Sequence, residues 1–351
     1  MRPSATMYLK SLATANPNHD FTQLQTWEQL QRHPDIDQLK PRSLGILEKI
    51  LTHKSSGIEH RQFTEADLLP VFRKDAQALN QSFEKNAPEL GNKALQVAIE
   101  KAQIKAGEID ALFVCSCTGY LCPGPSSYIA ELAGLRPDTY LADLVGLGCG
   151  AAIPTLRAAD GYLAANPTHK VAVIAVEVSS AAFYLDNDPG VLISLCLFGD
   201  GAAAAILTGK DTDHGDLLKF HGFDTHHVPE NREKIRFTNS EGKLKNQLHR
   251  SVPKLAANAV SILYQRLTTD SKPGQILAHS GGRDVIEEIE ATLPDFHLTE
   301  TREVLRKHGN MSSPSVLFAL EERLRTHPDS NSIWLTAFGA GFAAHSCSLS
   351  K

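Results

Sequence analysis

The stretch DLVGLGCGAAIP, residues 143–154, contains the feature that organises the rest of the sequence. An apolar run ends at Gly148, Cys149 follows, and small residues lead into TLRAADGYLAA, which has helical character. Cys149 is therefore predicted to lie in a tight turn at the start of a helix. A cysteine in such a turn is either a small buried apolar residue or a nucleophile.

The overall composition is that of a globular protein with a sizeable core. The chain has 351 residues, of which 42% are hydrophobic, and its formal net charge is −5, which argues against a nucleic-acid-binding protein. No apolar stretch reaches the roughly 18 residues that a membrane span requires. The N-terminal segment lacks the long apolar core of a secretory signal. We therefore expect a cytoplasmic protein with no membrane span.

The six cysteines do not indicate a disulfide framework in a chain of this length. Three of them, Cys115, Cys117 and Cys122, lie close together, which raises the possibility of a metal site. Zinc sites need a second cysteine pair or histidines at short spacing, and neither occurs nearby. The sequence therefore predicts that no metal is bound.

The order of predicted elements indicates an α/β protein. Two polar helices are predicted at 21–32 and 64–86. Buried strands are predicted at 110–118, 171–178, 201–208, 275–280 and 332–339, and further helices at 92–104, 125–135, 283–293 and within 304–324. Strands that are apolar throughout and alternate with helices are typical of sheets covered on both faces.

The two halves of the chain repeat the same order of elements. The interval from Cys117 to Cys149 is 32 residues, and that from His279 to Asn310 is 31. This similarity predicts a duplicated α/β unit, with an N-terminal half at 1–209 and a C-terminal half at 210–351. Cys149 and Asn310 would then occupy equivalent turns that face each other.

Together, Cys149, His279 and Asn310 would support chemistry on a thioester at the interface of the halves. A free thiol has a pKa of about 8.5, and a helix N-terminus and an imidazole lower it, so we expect Cys149 to be a thiolate nucleophile. His279 would pair with the thiolate and donate to a developing oxyanion. Asn310 offers an amide donor but cannot accept the proton. The two donors would form an oxyanion hole.

Each of these residues also has a plain structural interpretation. Cys149 could be a small core residue, because free cysteine is commonly buried. His279 could be a hydrogen-bonded structural histidine. Asn310 follows Gly309 ahead of a helix, so it could serve only as a helix cap or turn residue.

Several motifs in the same order resemble those of one protein family. They are LATANP (12–17), CTGYLCPGPSSYIAELAGLRPD (117–138), the turn at Cys149, LFGDGAAAAIL (197–207), AHSGGRDVIEEIE (278–290), REVLRKHGNMSSPSVLFALEERL (302–324) and TAFGAGF (336–342). From about residue 8 to its end, the chain resembles the type III polyketide synthases, the chalcone- and stilbene-synthase-like group of the thiolase superfamily. Its departures from the plant pattern look bacterial, and they also resemble the branch that builds dihydroxyphenylacetyl-CoA from malonyl units.

The resemblance implies a thiolase-like, five-layered αβαβα fold and a homodimer. It implies malonyl-CoA and an acyl-CoA starter as substrates, with no dissociable cofactor. In the implied reaction, Cys149 carries the starter while His279 and Asn310 stabilise the enolate formed by decarboxylation of malonyl-CoA. Iterative condensation, cyclisation and release would yield an aromatic or pyrone product, as in secondary metabolite biosynthesis.

The resemblance also implies a cavity and its gate. Phe198, at a predicted strand start, corresponds to a gating phenylalanine of the family. The family's second gating phenylalanine is replaced here by Asn246. A methionine that reaches into the partner's cavity in the family is replaced here by Cys122. The other residues implied at the cavity are Cys117, Thr118, Ser179, Ala182, Ser194 and Ser312. The residues implied to bind CoA are Lys49, Lys54, Gly281, Gly282 and Arg283.

Two other functions are compatible with the same residues. One is a single-condensation ketoacyl synthase acting on carrier-protein substrates, although the His-Ser-Gly-Gly sequence from His279 differs from the His-Gln-Ala-Asn type motif of such enzymes. The other is a catalytically silent scaffold with the thiolase fold. The presence of Cys149, His279 and Asn310 argues against the scaffold.

Overall fold

The computed structural model describes residues 7–53, 56–209, 217–268 and 272–351. The strands are β1 Met7–Ala15, β2 His19–Thr22, β3 His60–Phe63, β4 Ala111–Cys115, β5 Tyr140–Leu144, β6 Lys170–Glu177, β7 Gly201–Thr208, β8 Leu218–His227, β9 Ile235–Ser240, β10 Lys243–Leu248, β11 Gln275–Ala278, β12 Ser332–Gly339 and β13 Ala343–Ser350. The α-helices are α1 Gln23–Gln31, α2 Pro41–Thr52, α3 Ala76–Ala102, α4 Pro125–Ala133, α5 Ala152–Ala165, α6 Pro189–Leu197, α7 Val252–Gln265, α8 Arg283–Thr292, α9 Thr299–His308 and α10 Ser315–Thr326. Among the described residues, no helix is long and apolar enough to cross a membrane.

Nine of these strands are hydrogen-bonded into one continuous sheet, whose two parts are called here the N-terminal and the C-terminal sheet. The strand order is β5-β4-β6-β7-β1 in the N-terminal half, and it continues as β8-β13-β12-β11 in the C-terminal half. The link between the halves is short, because only Met7–Leu9 of β1 pair with Leu218–Phe220 of β8.

The two halves share one topology. In the N-terminal half, β1 and β6 run antiparallel to β7, and β4 runs parallel to β6. In the C-terminal half, β8 and β12 run antiparallel to β13, and β11 runs parallel to β12. The described part of the C-terminal half has no counterpart of the edge strand β5.

Helices cover both faces of both sheets, which gives five layers. Helices α3 and α4 pack on the outer face of the N-terminal sheet, and α7 packs on the C-terminal sheet with α8 against it. Helices α5 and α10 lie between the sheets and contact strands of both halves. The largest apolar core surrounds these two central helices, so the ends of α5 and α10 are held rigidly at the interface of the halves. The predicted αβαβα fold is confirmed.

A separate apolar cluster includes the turn that precedes α5. It contains side chains from α1, α2 and α6 together with Cys149 and Phe198. The entry into α1 is set locally by Thr22, whose side chain accepts from the Gln25 amide in a capping box.

Three predicted elements differ from the observed ones. The helix expected at 64–86 begins only at Ala76, because Asp75 caps it and Pro70 lies in a preceding turn, and it continues to Ala102. The helix expected at 21–32 begins at Gln23, because residues 19–22 pair with β3 as a strand. Phe198 caps the C-terminus of α6 instead of starting a strand. The boundary predicted between residues 209 and 210 borders a segment outside the described residues and stays a prediction.

Candidate active site

Cys149 lies in a single 3-10 turn, Gly148–Gly150, directly before α5, as the sequence predicted. The turn packs closely against the loop after β12. Gly148 has a positive φ of +59°, and a Cβ there would lie 2.9 Å from the Ala340 amide nitrogen. A side chain at Gly148 would therefore be strained and would collide with the backbone. This close packing fixes the backbone that carries the Cys149 thiol.

His279 and Asn310 reach the interface from the C-terminal half. His279 follows β11, and its amide donates to the Thr336 carbonyl at 2.9 Å. Its ring meets the ring of Phe338 edge to face at 5.3 Å between centroids. The Asn310 amide nitrogen Nδ2 donates to the Gly281 carbonyl at 3.2 Å, so Asn310 is held next to the turn that follows His279.

Ser312 connects the two halves at the nucleophile. Its backbone N–H donates to Asn310 Oδ1 at 2.7 Å, and its hydroxyl donates to Cys149 Sγ at 3.2 Å. The same hydroxyl lies 3.1 Å from Cys117 Sγ. The structure thus brings Cys149 and Asn310 into one hydrogen-bonded chain through Ser312.

A narrow crevice lies next to this chain, and Cys117 and Ser312 are part of its lining. Its lining includes eight of the nine residues expected at the cavity or gate. The lining residues are Cys117, Thr118, Ser179, Ala182, Phe183, Tyr184, Val191, Ser194, Phe198, Phe237, Leu244, Asn246 and Ser312. Phe198 is held there by the buried guanidinium of Arg61, which donates to the carbonyls of Leu195 and Phe198 at 2.7 and 2.9 Å.

The protonation of Cys149 differs from the expectation. Burial raises its pKa to about 12, although the Ser312 hydroxyl acts in the opposite direction. Burial has the opposite effect on the base and lowers the pKa of His279 to about 3. The closed site therefore holds a neutral thiol and a neutral imidazole instead of an ion pair, because removal of water penalises both charged forms.

Glu177, at the end of β6, is a site residue that sequence reasoning missed. It is fully buried. One carboxylate oxygen accepts from the amides of Cys117 and Thr118 and from the hydroxyls of Ser116 and Thr118, at 2.9–3.1 Å. The other accepts from Ser313. The carboxylate therefore fixes the segment that carries Cys117 to the segment after Asn310. A single acid at the end of the apolar run VAVIAVEV is the signal that could have identified it.

The β9–β10 hairpin supplies crevice residues that the sequence did not indicate. Phe237 is the direct cross-strand partner of Asn246. Both line the crevice, together with Leu244. An aromatic ring therefore stands opposite the polar residue that occupies the second expected gate position.

Other predicted site residues lie apart from this chain of contacts. Cys122 is exposed, outside the crevice lining. Lys49 is exposed in the last turn of α2, and Lys54 lies outside the described residues. Gly281 and Gly282 form the turn between His279 and α8. Arg283 lies beside Gly57, but its guanidinium contacts Asp284 at 2.7 Å and Glu287 at 3.6 Å. Among the described residues, no cluster suited to a metal ion occurs.

Comparison with known proteins shows two family matches. Residues 1–269 match the FAE1/Type III polyketide synthase-like proteins, and residues 221–342 match the C-terminal domain of chalcone and stilbene synthases.

Curated relatives and a solved structure agree with these matches. The 3,5-dihydroxyphenylacetyl-CoA synthase of Streptomyces toyocaensis is 29% identical over 305 residues, which covers 80% of this chain and 77% of that protein. The enzyme of the same name from Amycolatopsis orientalis is 31% identical over 252 residues, covering 68% of this chain and 66% of that protein. PKS-I from the brown alga Ectocarpus siliculosus shares the fold, with a TM-score of 0.89, 23% identity and 99% of each chain covered.

Proposed function

This chain belongs to the type III polyketide synthase family, and from that premise we propose that it condenses malonyl-CoA repeatedly onto an acyl group carried by Cys149. The observation that carries the proposal is the hydrogen-bonded chain from Cys149 through Ser312 to Asn310. It places a thiol and an amide from opposite halves next to the crevice, as a thioester nucleophile and an oxyanion donor require.

The first step loads the starter. The Cys149 sulfur attacks the carbonyl carbon of the acyl-CoA thioester, and the carbon–sulfur bond to CoA breaks. In the proposed step, His279 takes the thiol proton as the sulfur attacks and gives it to the departing CoA sulfur.

The second step generates the carbon nucleophile. Malonyl-CoA loses its carboxylate as CO2, and the electron pair of the broken carbon–carbon bond enters the thioester as an enolate. His279 and the amide of Asn310 donate hydrogen bonds to the enolate oxygen. The enolate carbon then attacks the acyl–Cys149 thioester and expels the Cys149 thiolate, so the lengthened chain is carried on CoA. Before the next round, the Cys149 thiolate attacks this new CoA thioester, which returns the chain to the cysteine and releases CoA.

The crevice would hold the growing chain, because Ser312, which donates to the Cys149 thiol, is part of its lining. Hydroxyls of Thr118, Ser179 and Ser194 line it alongside the ring of Phe198, which would act as a gate beside the nucleophile. Such a lining suits a chain with a carbonyl on alternate carbons that closes to an aromatic ring or pyrone.

CoA is proposed to enter near the turn that follows His279. The backbone is open at Gly282, where a Cβ would meet no atom within 4 Å, and Arg283 lies beside Gly57. The acidic partners of Arg283 compete for its guanidinium, so phosphate would have to displace Asp284 and Glu287. The two relatives named above are synthases of a CoA thioester, which supports CoA esters as substrates of this chain.

A homodimer is the proposed assembly. Strand β5 is an edge strand, paired only with β4 among the described strands, and unpaired edges are prone to associate. Tyr140, Leu141 and Val145 expose 52%, 37% and 57% of their surface along this edge. Pairing of two copies through β5 would bury these side chains and bring Cys122, after β4, towards the partner.

The test uses purified protein with malonyl-CoA and a set of acyl-CoA starters. Cys149→Ala is expected to abolish acyl loading, seen by intact mass, and to retain slow release of CO2 from malonyl-CoA. The exposed Cys122→Ser is the matched control and should load normally. Polyketide formation by Cys149→Ala would overturn the proposal, and so would the absence of any CO2 release by the unmodified enzyme.

A further inference from the structure

A second cavity shares one chain segment with the crevice. Ala182 and Tyr184 line the crevice, whereas Leu185, Asp186 and Asn187 line the second cavity. The volume of this cavity is about 400 Å³, which is within the range of small-ligand sites. The rest of its lining comes from the connection between α1 and α2 and from the turn before α3, and consists of His33, Asp35, Gln38, Leu39 and Phe72.

His33 brings an unpaired hydrogen-bond donor to the second cavity. Its side chain is 1% exposed, and its Nδ1 accepts from the Asp35 amide at 3.1 Å. Nδ1 therefore holds a lone pair and Nε2 carries the proton of a neutral ring, in agreement with burial, which lowers the pKa of His33. Nε2 makes no hydrogen bond to any residue that the structure describes, since the Leu69 carbonyl, which acts to raise this pKa, does not meet it in hydrogen-bonding geometry. A ligand that supplies an acceptor would remove the cost of this unpaired N–H.

Two carboxylates supply acceptors on the same lining. Asp35 accepts from Gln38 Nε2 at 2.9 Å through Oδ1 and from Arg73 Nε at 3.1 Å through Oδ2. Asp186 accepts from the Asp188 amide at 2.7 Å through Oδ1. Because a carboxylate oxygen accepts up to two hydrogen bonds, both acids retain capacity for a donor on a ligand.

Asn187 adds a second donor with a fixed direction. Its Oδ1 accepts from the Lys40 amide at 2.8 Å and from the Ser43 hydroxyl at 2.7 Å, which holds the oxygen towards the start of α2. Its NH2 group is therefore turned away from α2, where it meets no acceptor within the described part of the chain. Phe72 supplies an apolar face, and its ring meets the His33 ring edge to face with 5.8 Å between centroids.

These groups discriminate between classes of ligand. Two acids line the cavity, with no lysine or arginine among the described lining residues, so an anion such as a CoA ester would be repelled. An organic cation would pair with the acids but would leave the N–H groups of His33 and Asn187 without acceptors. A hydroxyl donates and accepts at once. Hydroxyls on a planar ring can therefore pair with the acids and with both N–H groups while the ring packs on Phe72.

We propose that the second cavity binds a neutral aromatic ring carrying several hydroxyls, the product class of the proposed reaction, and that its occupation slows condensation. The effect on the reaction follows from the shared segment, because Tyr184 and Leu185 are consecutive and line different cavities. A ring bonded to Asp186 would hold this segment and, with it, one wall of the crevice. The inference rests on the proposed function for the identity of the ligand, whereas binding is measured without turnover.

The binding experiment titrates resorcinol into the purified protein without malonyl-CoA and follows it by calorimetry. Saturable binding is expected, whereas dimethoxybenzene, which cannot donate, and the cation benzylamine should bind at least about 10-fold more weakly. His33→Phe keeps a ring but removes the donor, and Asp186→Asn removes the charge; each should weaken resorcinol binding by about 10-fold. The matched controls are His53→Phe and Asp37→Asn, at exposed positions outside the lining, and both should bind resorcinol like the unmodified protein.

CO2 release at saturating malonyl-CoA is then measured with and without resorcinol. Resorcinol should slow it in the unmodified enzyme and in both controls, and much less in Asp186→Asn. If His33→Phe does not fold, Asp186→Asn carries the test. Equal resorcinol affinity in Asp186→Asn and the unmodified protein, tighter binding of benzylamine, or unaltered CO2 release with resorcinol bound would overturn the inference. An unmodified enzyme that releases no CO2 would overturn the proposed function, whereas resorcinol binding that depends on Asp186 would still support the site.

Discussion

Replacement of Asn310 provides the sharpest test of the oxyanion site. Its side chain is oriented at both ends, because Oδ1 accepts from the Ser312 amide at 2.7 Å while Nδ2 donates to the Gly281 carbonyl at 3.2 Å. Its backbone is also held, with the amide donating to Leu197 and the carbonyl accepting from Gly199. The amide cannot flip without placing like groups together at both contacts, so its free hydrogen has a fixed direction.

The expected size of the effect follows from this fixed geometry. Loss of one preorganised oxyanion donor costs about 10²- to 10³-fold in kcat, or about 2.7–4 kcal/mol. Asn310→Ala should therefore slow CO2 release from malonyl-CoA by that factor. Asn310→Asp should be at least as slow, because an ionised carboxylate donates no hydrogen bond and repels the enolate.

The assay measures CO2 release and acyl loading on the same preparations. Loading of Cys149, followed by intact mass, should fall less than CO2 release, because His279 is retained in both variants. Asn166→Ala is the matched control, because the Asn166 side chain donates to the Tyr162 carbonyl of its own helix, outside the candidate site. CO2 release by Asn310→Ala within about threefold of the unmodified enzyme would refute the role of this amide.

Further predictions concern the thiols, acid stability and the buried acid. Cys122 is exposed, whereas burial raises the pKa of the other five thiols. Cys122 should therefore be the first cysteine to react with iodoacetamide at pH 8, as measured by peptide mapping. Faster labelling of Cys149 would contradict this prediction. Burial lowers the pKa of His279 to about 3 in the folded protein, whereas its pKa in the unfolded chain is about 6.5. Between these two pH values the unfolded state binds more protons than the folded state. The free energy of unfolding should therefore decrease as the pH falls from about 6.5 to about 3. Urea unfolding at pH 7 and pH 4.5 should show a smaller decrease in His279→Gln, and an equal decrease would exclude this histidine as a cause. Both oxygens of Glu177 accept hydrogen bonds, so Glu177→Gln would place an NH2 group against existing donors. This substitution should lower the free energy of unfolding by about 2 kcal/mol or more. The control Glu84→Gln, at the surface, should change the free energy of unfolding little.

Much of the layered architecture was predictable from local sequence patterns. The apolar runs that became β4, β6, β7, β11 and β12 are long enough to indicate buried strands by themselves. The similar intervals ahead of Cys149 and Asn310 indicated the duplicated unit, whose two sheets have the same strand order. Elements with weaker local patterns, such as the exposed edge strand β5, were not predicted, because contacts made after chain folding stabilise them.

By itself, the sequence determined the family, the αβαβα fold and the candidate residues Cys149, His279 and Asn310, because these depend on motifs and on the order of elements. Tertiary structure alone decided which residues share the crevice, as with Phe237 beside Asn246 and Glu177 beneath Cys117. It also reversed the expected pKa shift of Cys149. The physical reason is that folding brings together residues that are far apart in the chain. The free-energy cost of removing a charged group from water depends on all of these neighbours together, so a pKa shift cannot be predicted from local sequence.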